Sequence, residues 1–91
     1  MKRTTFQFEI RLLGENPVEQ LERLRTGLVE IKGVEKVESQ PAHSFATLLI
    51  HVKVADADSA QALHKKIMVR LMKTDAVRIS RVTSNLSEVF G

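Results

Sequence analysis

The chain contains no cysteine, tryptophan or tyrosine, and has only 2 prolines and 4 glycines. Without cysteine there is no disulfide, thiolate metal site, iron–sulfur cluster or cysteine nucleophile, and the usage fits a reducing compartment. The aromatic residues are all phenylalanine, 4% of the chain, so no indole or phenol is available to anchor a sugar, a base stack or an interface hot spot. Long apolar runs are missing too. Leu48-Leu49-Ile50 is as long as any, far short of the roughly 20 residues of a membrane helix. The start, Met1-Lys2-Arg3-Thr4-Thr5, is basic but leads into alternating polar residues, where a signal peptide would have an apolar stretch. A cytoplasmic protein with no membrane insertion is the expectation.

What remains is an ordinary folding composition. The 91 residues are 43% hydrophobic and 27% charged, which suits one globular domain over 1–91 and not a disordered chain. The net charge of +3, from 14 basic and 11 acidic residues, permits anionic partners without demanding them.

Hydrophobic periodicity supplies the elements. From Thr5 to Leu13 the residues Phe6, Phe8, Ile10 and Leu12 alternate with Gln7, Glu9 and Arg11, the period-two pattern of a half-buried strand. Gly14-Glu15-Asn16-Pro17 breaks it. Asn16 suits an N-cap, Pro17 the first helical position and Glu19 the reciprocal acid of a capping box. Val18, Leu21, Leu24, Leu28 and Ile31 then form one helical stripe, which Gly33 stops. Gly27 lies inside this helix at a cost of about 1 kcal/mol relative to alanine; it either permits close backbone packing or has no role.

Val34 to Gln40 reads as a second strand, Pro41 to Ser44 as a connection, and Phe45 to Val54 as the strongest strand. Asp58 with Gln61 resembles a capping box for a second helix, whose stripe is Ala60, Leu63, Ile67 and Leu71. Ala76 to Thr83 is a last strand with Val77 and Ile79 inward, and 84–91 is a C-terminal tail carrying Leu86, Val89 and Phe90. The order βαββαβ with right-handed crossovers predicts an α+β ferredoxin-like sandwich: a four-stranded antiparallel sheet, first and third strands central, with both helices on one face.

Candidate chemistry is sparse. His43, His51 and His64 have no metal-ligand spacing. Asp56 and Asp58 supply too few oxygens for calcium and are explained by helix capping. The serines have no glycine elbow or recognisable base, and there is no GxGxxG or phosphate loop. No metal or cofactor is implied, and an enzyme is not expected. On the uncovered sheet face Phe45 and Leu49 are apolar residues on the same side of one strand, which points to a contact surface shared with His51 and Phe90. The tail or a second subunit would cover it, and His51 would make such an interface pH-sensitive. The basic residues Lys65, Lys66, Arg70 and Lys73, with His64, fall around the solvent side of the second helix and could meet the phosphates of a nucleic acid.

The layout resembles ACT-type regulatory domains and the ligand-sensing domains of feast/famine (Lrp-type) regulators over nearly the whole chain. The rhythm is carried by Gly33-Val34-Glu35-Lys36-Val37, Phe45 to Val52, Ala60 to Leu71 and Val77-Arg78-Ile79. The resemblance implies pairing edge to edge or through sheet faces, and a small-molecule effector at the turn after the first strand. Gly14 matches that turn, while Glu15 and Asn16 depart from its usual acidic pattern. Heavy-metal-associated domains have a similar Gly-Val-x-x-Val after the first helix, but the Cys-x-x-Cys they carry before it is absent. RNA-recognition motifs share the element order and need exposed aromatics on both central strands, where only Phe45 is available. The expectation is a small non-catalytic regulatory or assembly module that forms a homodimer through its sheet. The alternatives are nucleic-acid binding through the second helix and a cytosolic regulatory domain of a transporter or enzyme.

Overall fold

Alternation in the first strand becomes a sheet with two unlike faces. The computed structural model describes residues 1–84. Its elements are β1 (Lys2–Leu12), α1 (Pro17–Val29), β2 (Val34–Ala42), β3 (Phe45–Val54), α2 (Ala57–Lys73) and β4 (Val77–Ser84). The strands are ordered β2-β3-β1-β4 and every neighbouring pair is antiparallel. This is the ferredoxin-like sandwich with β1 and β3 central. Phe6, Phe8 and Ile10 of β1 and Leu48, Ile50 and Val52 of β3 are fully buried. They share one core with Leu21, Leu24 and Leu28 of α1 and Ala60, Leu63, Ile67 and Leu71 of α2. Burying each large side chain contributes roughly 1.5–3 kcal/mol, so the helix-covered face carries most of the stability.

Asn16 caps α1 as expected: its Oδ1 accepts from the Glu19 N–H at 3.3 Å, and its Nδ2 donates to the Glu19 carboxylate at 3.2 Å. Three details of the helices differ from the expectation. Val18 is 75% exposed, because about 100° per residue turns it away from the stripe that Leu21, Leu24 and Leu28 share. The helix closes at Val29, and the chain continues to the sheet through short turns bonded Ile31 N–H to Leu28 O and Val34 N–H to Ile31 O. The cap of α2 is Asp56, not Asp58: its Oδ1 accepts from Ser59 N–H at 2.8 Å, which holds the Asp56 carboxyl below its ordinary range. Asp58 lies in the first turn, where the helix dipole favours a negative charge.

The strands also run further than their patterns suggest. β2 continues through Pro41 and Ala42, and the connection shrinks to His43-Ser44, with Ala42 paired to Phe45. Proline is tolerated because β2 is an edge strand. His43, at φ 59°, takes the left-handed conformation that this tight turn requires. Ala76 does the same at φ 61° where the chain enters β4.

His64 does not face solvent. Its ring stacks on Phe8 at 5.3 Å and meets Phe6 edge-on at 4.8 Å. It lies three residues before Ile67 and so flanks the buried stripe, and burial lowers its pKa from the ordinary 6.5.

Candidate functional site

Two surfaces stand out: the sheet face that no helix covers, and a cleft between the helices on the opposite layer. The first is built by registry. Cross-strand pairing arranges its side chains in rows running from β2 to β4: Ala42, Phe45, Arg11 and Arg78; then Gln40, Thr47, Glu9 and Arg81; then Glu38, Leu49, Gln7 and Thr83; then Lys36, His51 and Thr5. Phe45 is 49% exposed, and the Arg11 guanidinium lies 5.8 Å from its ring centroid, within cation–π range. Leu49 is half-buried rather than exposed, because Glu38 and Gln7 flank it on the neighbouring strands.

His51 is fixed from both sides. Its Nδ1 lies 3.0 Å from the Thr5 hydroxyl, and its Nε2 lies 3.7 Å from Glu38 Oε1 with no hydrogen-bond partner of its own. Glu38 also accepts an ion pair from Lys36 at 2.9 Å, and this contact, with the weaker His51 one, holds its carboxyl below the usual range. Phe45, Leu49 and His51 therefore share one face, as the alternation of β3 indicated. Phe90 lies outside the described residues.

The opposite edge is basic. A bulge at Ser80 of β4, opposite Glu9 and Ile10 of β1, shifts the register by one residue, so that Ile79 opposes Ile10 and Arg81 opposes Glu9. Simple alternation would send Arg81 to the helix face. The extra residue returns it to the open face beside Arg78, and no sequence signal announces this. Arg11 and Arg78 are direct cross-strand neighbours, and neither forms an ion pair among the described residues.

The second surface is a cleft of about 600 Å³, lined in part by Gly14, Glu15, Asn16, Arg23, Gly27 and Arg70. The loop residues proposed from the sequence as ligand contacts, Gly14, Glu15 and Asn16, thus share one concavity. Gln20 fixes the loop geometry, its Nε2 donating to the carbonyls of Asp75 at 3.0 Å and Ala76 at 3.1 Å. A Cβ at Gly14 would lie 3.0 Å from Gln20 Oε1, so the glycine makes room for this clamp between the start of α1 and the end of α2. Gln20, Arg23 and Asp75 carried no motif; in the sequence only the turn Gly14-Glu15-Asn16 pointed to a ligand, with Gly27 merely costly inside its helix.

The four basic residues of α2 do not form one patch. At about 100° per residue, Lys66, Arg70 and Lys73 share the flank nearest α1, while Lys65 points away from the sheet. Arg70 turns into the cleft, its Nη2 lying 3.1 Å from where a Gly27 Cβ would stand. Among the described residues, no group of three or more His, Cys, Asp or Glu could hold a metal ion, and no helix is long and apolar enough to cross a membrane.

No protein-family model matches the chain, and no curated protein does. Solved structures match its shape. The structural-genomics protein YJCS superimposes with a TM-score of 0.62 at 6% identity, covering 92% of this chain and 97% of that one. The de novo designed protein Foldit4 superimposes with a TM-score of 0.59 at 20% identity, covering 92% and 99%. At these identities the likeness concerns the fold alone, and the match to a designed chain underlines that this fold carries no particular chemistry. The chain is thus similar in architecture to ferredoxin-like proteins of its own size.

Proposed function

We propose that this protein is a non-catalytic regulatory or assembly module that pairs with a second copy of itself through the open face of its sheet. The observation that carries this reading is Phe45, 49% exposed in line with Leu49 on a face that no helix covers. Self-complementarity of the cross-strand rows supports a second copy as the occupant. A two-fold axis parallel to the strands sets each row against itself, so that Arg11 of one copy lies over Phe45 of the other and Arg81 over Gln40, one row from Glu38, twice by symmetry. The rhythm shared with ACT-type and Lrp-type domains, which pair through their sheets, points the same way. The lack of a nucleophile–base constellation in the sequence supports a non-catalytic role. Within a larger enzyme or transporter, the same face would serve the same pairing.

Sedimentation equilibrium at micromolar concentration tests the reading. Wild-type protein should approach twice the 10.3 kDa chain mass, and Leu49→Asp, which places a carboxylate in the middle of the face, should return it to a monomer. A monomer in both cases would refute the pairing.

A further inference from the structure

We propose that the notch formed by Gly27 and Arg70 in the interhelical cleft is a binding site for a small monocarboxylate with an apolar body. The cleft belongs to the helix layer, opposite the face proposed to pair, so the two proposals stand or fall separately.

The argument begins with a residue out of place. Gly27 is in the interior of α1, where glycine is costly, and its backbone does not have the positive φ that would demand glycine. The space it leaves is taken by one group. Beyond its own helical turn, an added Cβ would meet Arg70 Nη2 at 3.1 Å and no other heavy atom within 4 Å. The glycine therefore lets the Arg70 guanidinium settle against α1.

That cation has no partner among the described residues. No described carboxylate comes within 4.0 Å of Arg70, whereas Arg23, across the cleft, pairs with Glu19 at 3.7 Å. An exposed planar guanidinium resting at the wall of a cleft, with donors unused, suits a carboxylate received through two parallel hydrogen bonds.

The surroundings narrow the ligand class. Leu24 and Leu28, 8% and 1% exposed, form the floor of the same cleft, with the half-buried Gly27 and Ala76 lining it above them, so the floor beside the guanidinium is apolar. Glu15 and Asp75 also line it, and their charges oppose a phosphate dianion more than a monoanion. The volume of about 600 Å³ lies within the usual 300–1,000 Å³ of small-molecule sites.

Calorimetric titration with hexanoate, hexanol and inorganic phosphate tests the site. Hexanoate should bind saturably, with hexanol and phosphate each weaker. Arg70→Gln should weaken hexanoate binding about 10- to 100-fold, the loss of one charge-assisted contact. Gly27→Ala should also weaken it while raising the thermal midpoint, because alanine favours the helix but pushes the Arg70 guanidinium off α1. That opposition separates a binding role from a structural one. Absence of saturable hexanoate binding, equal binding of hexanol, tighter binding of phosphate, or unchanged binding in folded Arg70→Gln would overturn the proposal.

Discussion

Gly33→Ala should be among the most damaging single-methyl additions in this chain. Gly33 links α1 to β2 at φ +101°, and its carbonyl accepts the Lys53 N–H at 2.9 Å, so the turn is tied to the centre of the sheet. A Cβ there would lie 2.9 Å from Leu63 Cδ2. Leu63 is 8% exposed within the core and has little room to retreat. A side chain at positive φ costs roughly 1–2 kcal/mol, and overpacking a filled core costs about 1–3 kcal/mol. The sum, on the order of 2–5 kcal/mol, is a large part of the roughly 5–15 kcal/mol that holds a domain of this size together. At about 4–8 °C per kcal/mol, the thermal midpoint should fall by more than about 8 °C. Urea unfolding followed by circular dichroism should show a lower midpoint with an unchanged slope. A loss below about 0.5 kcal/mol, the ordinary range for a surface change, would refute the placement of Gly33 against Leu63.

Two further outcomes follow from local geometry. Ala76→Gly should raise stability by up to about 1 kcal/mol, because Ala76 holds φ 61° while its carbonyl bonds to Leu13 N–H and Gln20; an unchanged or lower urea midpoint would contradict the strain. His64→Leu should flatten the pH dependence of stability. Burial depresses the folded pKa of His64 below 6.5, so the unfolded chain binds the extra proton first as pH falls. The His64 contribution is therefore complete above about pH 6.5 and declines as the solution is acidified toward the folded pKa. Equal slopes for wild type and variant between pH 7.5 and 5.5 would rule this out.

Much of the fold was legible because it is written in local patterns. Phe6, Phe8, Ile10 and Leu12 marked a central strand by alternation alone, and Asn16-Pro17-x-Glu19 marked the start of α1 by its capping chemistry. The misreadings arose where hydrophobic periodicity does not decide. Asp56 and Asp58 are equally good caps on paper, and the first helical turn chooses Asp56. His64 is polar by type, yet its place beside Ile67 sets it on Phe6 and Phe8. Arg81 reaches the open face only through the bulge in its pairing with β1. Of the two candidate sites, the sheet face followed from the alternation of Phe45, Leu49 and His51. The cleft joins residues from α1, α2 and their loops, so the Gly27–Arg70 contact, 43 positions apart in the sequence, had no local signature beyond a glycine in an unlikely place.

The central claim, that the open sheet face is a self-pairing surface, is tested most directly by following backbone amide resonances of the wild-type protein through a dilution series. Pairing predicts concentration-dependent shifts confined to the sheet residues of that face, with Glu9, Gln40, Phe45, Thr47, Leu49 and Arg81 moving most and the outer surface of α2 around Lys65 unchanged. Spectra that do not vary from high micromolar to low micromolar concentration, or shifts centred on α1 and α2, would contradict it.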